Sequence, residues 1–139
     1  MAPQNDKPPE FFVDRSLGKS IVDGLRETGL VVYSMADIYG EKQAQSLLDE
    51  TWLRDAGENN WIVLTKDDAI RRRPAERDAL TDAAVRVFCL TNRNLRGGEQ
   101  TERFVSNRHR ILRQARKPGP YIYGVYENGL KRLWPDRSE

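Results

Sequence analysis

Four short apolar runs, separated by segments with helical spacing, limit what this chain of 139 residues can fold into. The runs are Phe11–Val13, Leu30–Tyr33, Trp61–Leu64 and Arg86–Leu90, and each is typical of a buried strand. Parallel neighbours in a sheet need long crossover connections, which are usually helices. The order βαβαβαβ therefore predicts an α/β fold with a mainly parallel sheet that is covered by helices on both faces.

Helical spacing of apolar residues predicts a helix in each connection. Leu17, Ile21, Val22 and Leu25 indicate the first helix, for which Ser16 is a candidate cap and Gly29 the stop. The second is predicted over Gln43–Ala56, ended by Gly57, and its shared apolar face carries Ala44, Leu47, Leu48, Thr51 and Trp52. The third begins at Pro74 and runs through Ala83.

The last third of the chain predicts one long helix and a hairpin. The helix over Glu99–Arg116 places Phe104, Ile111, Leu112 and Ala115 on its core side, and basic residues on its outer face. The segments Tyr121–Tyr126 and Leu130–Trp134 flank Asn128 and Gly129, a pair that favours a tight turn. We expect this hairpin to extend the sheet and to offer an edge for a homodimer or for a partner peptide.

The length predicts one domain over residues 11–135, after a flexible leader at 1–10 and before a short tail at 136–139. There are 23 basic and 21 acidic residues, so the net charge of +2 does not by itself indicate a nucleic-acid partner. A single Cys89 with a single His109 excludes an internal disulfide and a Cys/His zinc site. No apolar stretch approaches the ~20 residues that span a membrane, and we expect a cytoplasmic protein.

Acidic residues follow the predicted strands at the edge where ligands of parallel sheets bind. Asp14 ends the first strand, Asp67 follows the third, and Asp49 and Glu50 lie in the helix between the second and third strands. Carboxylates brought together repel one another unless a cation neutralises them, and an all-oxygen set favours Mg²⁺ or Mn²⁺. Such a site can activate water for hydrolysis of a phosphodiester.

Each of these residues also has a purely structural interpretation. Asp14 can cap the following helix, Asp67 can open a turn, and Asp49 with Glu50 can form an exposed helix surface. The basic residues beside Asp67 can bind nucleic-acid phosphates or simply face solvent, and they are Lys66, Arg71, Arg72 and Arg73. Cys89 lies within an apolar strand and is interpreted as a buried, inert thiol.

Three segments resemble a known family. They are Phe-Phe-Val-Asp-Arg-Ser-Leu at 11–17, Asp-Glu-Thr-Trp-Leu at 49–53 and Trp-Ile-Val-Leu-Thr-Lys-Asp-Asp at 61–68. Together they resemble the short PIN-like domains, including the VapC-type toxins of bacterial toxin–antitoxin pairs, over roughly residues 11–90. The resemblance implies a three-layer α/β/α sandwich, Mg²⁺-dependent cleavage of RNA and an antitoxin partner. It also implies that Asp14, Asp49 and Asp67 hold the metal and are the catalytic acids.

One acid of the family pattern has no clear match here. Typical members carry a further acid, usually glutamate, between the first strand and the helix that contains Asp49. Asp37 is the nearest stand-in, and Glu50 and Asp68 are reserves. The alternative hypothesis is therefore a catalytically degenerate PIN-like module that binds RNA or a protein partner. Cleavage of DNA rather than RNA is also open, since the metal chemistry is the same.

Overall fold

The computed structural model describes residues 8–92 and 94–136, and all of its strands lie in one sheet. Residues 1–7 of the predicted leader and 137–139 of the predicted tail lie outside the described residues. The six strands are β1 (Glu10–Val13), β2 (Val31–Ser34), β3 (Ile62–Thr65), β4 (Arg86–Leu90), β5 (Tyr121–Tyr126) and β6 (Gly129–Trp134). Their order across the sheet is β2-β1-β3-β4-β5-β6.

Neighbouring strands are parallel except β5 and β6, which confirms the predicted α/β class with a mainly parallel sheet and a C-terminal hairpin. The register pairs Val13 with Ser34 on one side and with Leu64 on the other. The carboxyl ends of β1 and β3 therefore meet at one edge of the sheet. Asp14 and Asp67, which follow these strands, are carried to that edge.

Helices cover both faces of the sheet, as predicted. They are α1 (Lys19–Glu27), α2 (Met35–Tyr39), α3 (Glu41–Ser46), α4 (Asp49–Glu58), α5 (Pro74–Ala83), α6 (Gly97–Ser106) and α7 (Arg108–Ala115). A short 3₁₀ helix spans Asp68–Arg72. The apolar residues of α1, α6 and α7 pack on one face, and those of α4 and α5 pack on the other. Burial of these two apolar layers is the main force that holds the sandwich together.

The prediction of one continuous helix over Gln43–Ala56 is wrong. The chain leaves the helical conformation at Leu47 and Leu48, which are extended, and a new helix begins at Asp49. Leu48 is 64% exposed and Thr51 is exposed, so neither belongs to an apolar face. The break is stabilised from outside the segment, because the Arg15 guanidinium donates to the carbonyl of Leu47. It leaves Asp49 in the first turn of α4.

The helix predicted over Glu99–Arg116 is also divided, between α6 and α7 at Asn107. The fully buried Asn107 side chain donates to the carbonyls of Arg103 and Tyr126. An asparagine that bonds to main-chain groups competes with helix continuation, and here it also ties the break to the end of β5. The predicted core residues of both halves do pack together, namely Phe104, Ile111, Leu112 and Ala115.

Three smaller expectations have mixed outcomes. Gly29 follows α1 with a φ of +90°, as expected for a glycine that ends a helix. Ser16 is not the cap of α1, whose N-cap is Gly18, because its hydroxyl bonds to Asp14 instead. Gly57 lies inside α4 rather than after it, and a Cβ there would come within 2.3 Å of the carbonyl oxygen of Ala83 on α5. The glycine therefore allows α4 and α5 to approach closely.

The hairpin forms as predicted, but its two-residue turn consists of Glu127 and Asn128, and Gly129 is already the first residue of β6. The large apolar residues of β6 are half-buried, since Leu130 packs on one core layer and Leu133 and Trp134 pack on the other. Cys89 is completely buried, as predicted, and burial raises the pKa of its thiol to about 12. Within the described residues, no helix has both the length and the apolar character needed to cross a bilayer.

Candidate metal site at the carboxyl edge of the sheet

Asp14 is buried at the end of β1, with only 4% of its surface exposed. One carboxylate oxygen accepts hydrogen bonds from the amide and hydroxyl of Ser16, and the other accepts from the Thr65 hydroxyl at 3.0 Å. Burial raises the pKa of this carboxyl to about 6, although these hydrogen bonds oppose the rise. The neighbouring Asp49 carboxylate raises it slightly further.

This elevated pKa predicts that the metal-free protein loses stability as the pH rises. The unfolded chain releases the Asp14 proton near the ordinary pKa of 3.8, whereas the folded chain retains it until about pH 6. A shift of about 2 units corresponds to at most about 3 kcal/mol of unfolding free energy, lost between pH 4 and pH 7. Urea unfolding in EDTA should show this loss in the parent relative to Asp14→Asn, which does not titrate. A constant difference between the two proteins over this range would contradict it.

Asp49 occupies the first turn of α4, where the break after Leu48 directs it toward the sheet edge. Its Oδ1 accepts a hydrogen bond from the Trp52 indole at 2.8 Å and pairs with Arg15 at 3.2 Å. These contacts use one oxygen, and Oδ2 lies 3.7 Å from Arg73 Nη1. The indole of Trp52 thus fixes the rotation of the carboxylate from inside the core.

Asp67 follows β3 in the Thr-x-Asp sequence and lies at the start of the 3₁₀ helix. Its Oδ1 accepts from the Ala69 amide at 3.1 Å, and its own amide donates to the Thr65 hydroxyl at 3.0 Å. Since Thr65 also donates to Asp14, one hydroxyl connects the ends of β1 and β3. The structural interpretation of Asp67 as a turn residue therefore describes one oxygen of its carboxylate, while the other accepts a hydrogen bond from Arg73 Nη1 at 2.9 Å.

A third acid, Glu76, joins Asp49 and Asp67. One oxygen from each of the three carboxylates lies within 4.8 Å of the others, and all three side chains are half-buried. Burial raises the pKa of Glu76, and the nearby carboxylates add to the rise. Glu76 was not predicted from the sequence as a site residue. The available signal was Pro74 at the first position of α5, which places Glu76 in the first turn, next to the end of β3.

The three acids predicted as reserves do not belong to this cluster. Asp37 caps α2 in a reciprocal pair with Ser34 and contacts Arg26 at 2.6 Å, which holds its pKa below the usual range. Glu50 and Asp68 are half-buried beside members of the cluster but do not belong to the set of three acids. Asp14 is also outside that set, although the negative charge of Asp49 is close enough to raise the pKa of Asp14.

The predicted phosphate-binding residues have different environments. Lys66 and Arg72 are exposed near the sheet edge. Arg71 is half-buried and donates to the Leu133 carbonyl at 3.3 Å, which connects the 3₁₀ helix to the hairpin. Arg73 turns toward the acids and pairs with Asp67. Arg15, which the sequence analysis did not single out, also lies at this edge.

The donor set is suited to a hard divalent cation. All three groups are carboxylates, they lie in α4, at the start of the 3₁₀ helix and in α5, and their spacing is small enough to share one ion. Oxygen ligands of this kind are preferred by Mg²⁺ and Mn²⁺, whereas zinc sites are usually built from nitrogen and sulfur ligands. The residues present therefore fit Mg²⁺ or Mn²⁺.

Comparison with known proteins agrees with this architecture. A family model described as a PIN-like domain matches residues 9–92, which include every acid discussed above. The chain belongs to the PIN-like domain family. It is also similar to a Mycobacterium tuberculosis (strain ATCC 25618 / H37Rv) protein that carries the name "Putative ribonuclease VapC45". The two are 37% identical over 124 residues, which cover 88% of this chain and 90% of that protein. No solved structure matches this chain.

Proposed function

We propose that this PIN-like protein is a Mg²⁺-dependent endoribonuclease and the toxin of a bacterial type II toxin–antitoxin pair. The observation that carries the proposal is the cluster of Asp49, Asp67 and Glu76 at the edge of the sheet where ligands of parallel folds bind. The name of the similar mycobacterial protein supports the choice of a ribonuclease.

In this proposal Asp49, Asp67 and Glu76 hold the metal, and Asp14 completes the acidic edge. When bound, Mg²⁺ supplies an activated water and stabilises negative charge on the phosphodiester. The role of the protein is to keep the carboxylate oxygens in position. The Trp52 indole does this for Asp49, and the Ala69 amide does it for Asp67.

The surroundings of the acids suit a chain of phosphates. Lys66 and Arg72 are exposed cations near the acids and are proposed to position the RNA backbone. A cleft of about 630 Å³ opens beside Asp14, and its lining includes Arg15 and Lys19 as well as three further acids outside the cluster. A cleft of this volume can accommodate nucleotides next to the bond that is cut.

The partner and the place of action follow from the same proposal. A toxin of this class requires a cognate antitoxin protein, and its RNA substrate places it in the cytoplasm. The hairpin of β5 and β6 remains the proposed edge for a homodimer or an antitoxin peptide. Of its large apolar residues, Tyr126 is 37% exposed and available for such a contact.

Metal removal tests the proposed activity. We expect purified protein to cut single-stranded RNA in Mg²⁺ and to lose this activity in EDTA, with recovery when Mg²⁺ or Mn²⁺ is restored. Single- and double-stranded DNA of the same sequence should be cut far more slowly. Asp67→Asn, purified in parallel, is the control for contaminating nuclease. If the parent binds RNA but cuts none of the three substrates in Mg²⁺ or Mn²⁺, the alternative of a non-catalytic binding module is favoured.

A further inference from the structure

One nitrogen atom of the chain lies among all three acids of the cluster. Arg73 Nη1 is 2.9 Å from an oxygen of Asp67, 2.9 Å from an oxygen of Glu76 and 3.7 Å from Oδ2 of Asp49. These are the same three carboxylates that are close enough to share a metal ion. The guanidinium therefore occupies the region that a divalent cation would need.

The main chain holds Arg73 at this place. The residue separates the 3₁₀ helix from α5 and is extended, with φ −95° and ψ 120°. Pro74 favours this conformation, because the proline ring disfavours a helical residue before it. Asp67 and Glu76 lie on either side of Arg73 in sequence, so a short segment supplies two acids and the cation between them.

The side chain of Arg73 is nevertheless accessible. It is 44% exposed, and its partners Asp49, Asp67 and Glu76 retain 21%, 26% and 14% exposure. Ion pairs that are open to solvent are individually weak, and an arginine has enough rotatable bonds to leave them without moving the backbone. A divalent ion with twice the charge can therefore displace it from the same oxygens.

We propose that Arg73 is an internal competitor of the metal. In the absence of a divalent ion it neutralises Asp49, Asp67 and Glu76 and keeps them together. Metal binding requires the guanidinium to leave, so the affinity for the ion is lower than the three carboxylates alone would give. The choice of Mg²⁺ or Mn²⁺ as the ion rests on the proposed function, whereas the competition rests on the contacts of Arg73.

Calorimetric titration of Mn²⁺ into metal-free protein tests this proposal. Arg73→Gln keeps a long polar side chain but removes the charge, and it should bind Mn²⁺ about tenfold more tightly than the parent. Arg77→Gln is the matched control. Arg77 lies one helical turn later on α5, where its side chain donates only to the Arg71 carbonyl in the described contacts, and its loss should change the affinity by less than about twofold.

A second measurement separates competition from a general change in charge. In EDTA, Arg73→Gln should melt at a lower temperature than the parent, because the three acids then repel one another without a neutralising group. Saturating Mn²⁺ should raise the melting temperature of Arg73→Gln more than that of the parent. In Arg77→Gln the rise should match that of the parent.

Several results would overturn the proposal. Equal or weaker Mn²⁺ binding by folded Arg73→Gln would do so, and so would an absence of Mn²⁺ binding in both proteins. Persistence of the tighter binding in the double variant Arg73→Gln/Asp67→Asn would place the ion away from this cluster. These titrations do not depend on cleavage. A protein that shows the expected Mn²⁺ affinities but cuts no RNA would contradict the proposed function alone.

Discussion

Asp67→Asn is expected to lower Mg²⁺-dependent RNA cleavage at least about a hundredfold. The side chain of Asp67 combines two roles, because Oδ1 caps the 3₁₀ helix through the Ala69 amide and the carboxylate belongs to the cluster of three acids. An asparagine keeps an oxygen for the cap and removes the negative charge. The proposed loss therefore affects metal binding and not the fold.

Single-turnover cleavage of a labelled RNA in Mg²⁺ measures this loss, with circular dichroism to verify the fold. Asp78→Asn is a matched control, since Asp78 is an exposed acid on α5 that does not belong to the cluster. We expect the control to cut at close to the parent rate. Cleavage by folded Asp67→Asn at a rate within about threefold of the parent would contradict the placement of Asp67 in the site.

Trp52→Ala should have the largest effect on stability. Trp52 is completely buried on α4, and its ring centre lies 5.4 Å from that of Phe12 on β1, which has a strand on either side. Truncation of a buried tryptophan leaves a large cavity and costs about 3–5 kcal/mol of unfolding free energy. Because domains of this size are stable by only about 5–15 kcal/mol, the variant should be close to unfolding.

Urea unfolding of Trp52→Ala and Trp134→Ala measures the difference. Trp134 is only half-buried at the end of β6, so its truncation should cost less than half as much. Trp52→Phe retains most of the ring volume but cannot donate to Asp49, and it should stay folded while metal binding weakens. Equal destabilisation by the two alanine variants would show that Trp52 is not a central core residue.

The sheet was predictable from the sequence because β1 to β4 are short apolar runs separated by helical segments. That alternation depends on local patterns, and the parallel pairing follows from the need for crossovers. The two divided helices were not predictable in the same way. Leu47 and Leu48 are good helix formers, and their extended conformation is supported by Arg15, which is distant in sequence. Asn107 likewise ends α6 through a contact with β5.

The residues of the candidate site were also predictable only where local sequence patterns place them. Asp14 and Asp67 follow strands directly, so their arrival at one edge is a consequence of parallel pairing. The position of Glu76 depends on how α5 packs against α4, including the close approach at Gly57, and this is a property of the tertiary structure. The arginine within the cluster was predicted near the metal, but as a phosphate ligand rather than as a partner of the acids.

The position of β1 between β2 and β3 bears on how the protein is made. β1 is synthesised before its neighbour β3, and the paired residues of the two strands are about fifty positions apart in the chain. The acids also come from positions 14, 49, 67 and 76, so more than half of the chain must be synthesised before they can meet. A nascent chain that ends before Glu76 therefore has no assembled acidic cluster. For a protein proposed to cut RNA, this order of synthesis delays any cleavage until the ribosome has passed the codon for Glu76 in the messenger that encodes the protein.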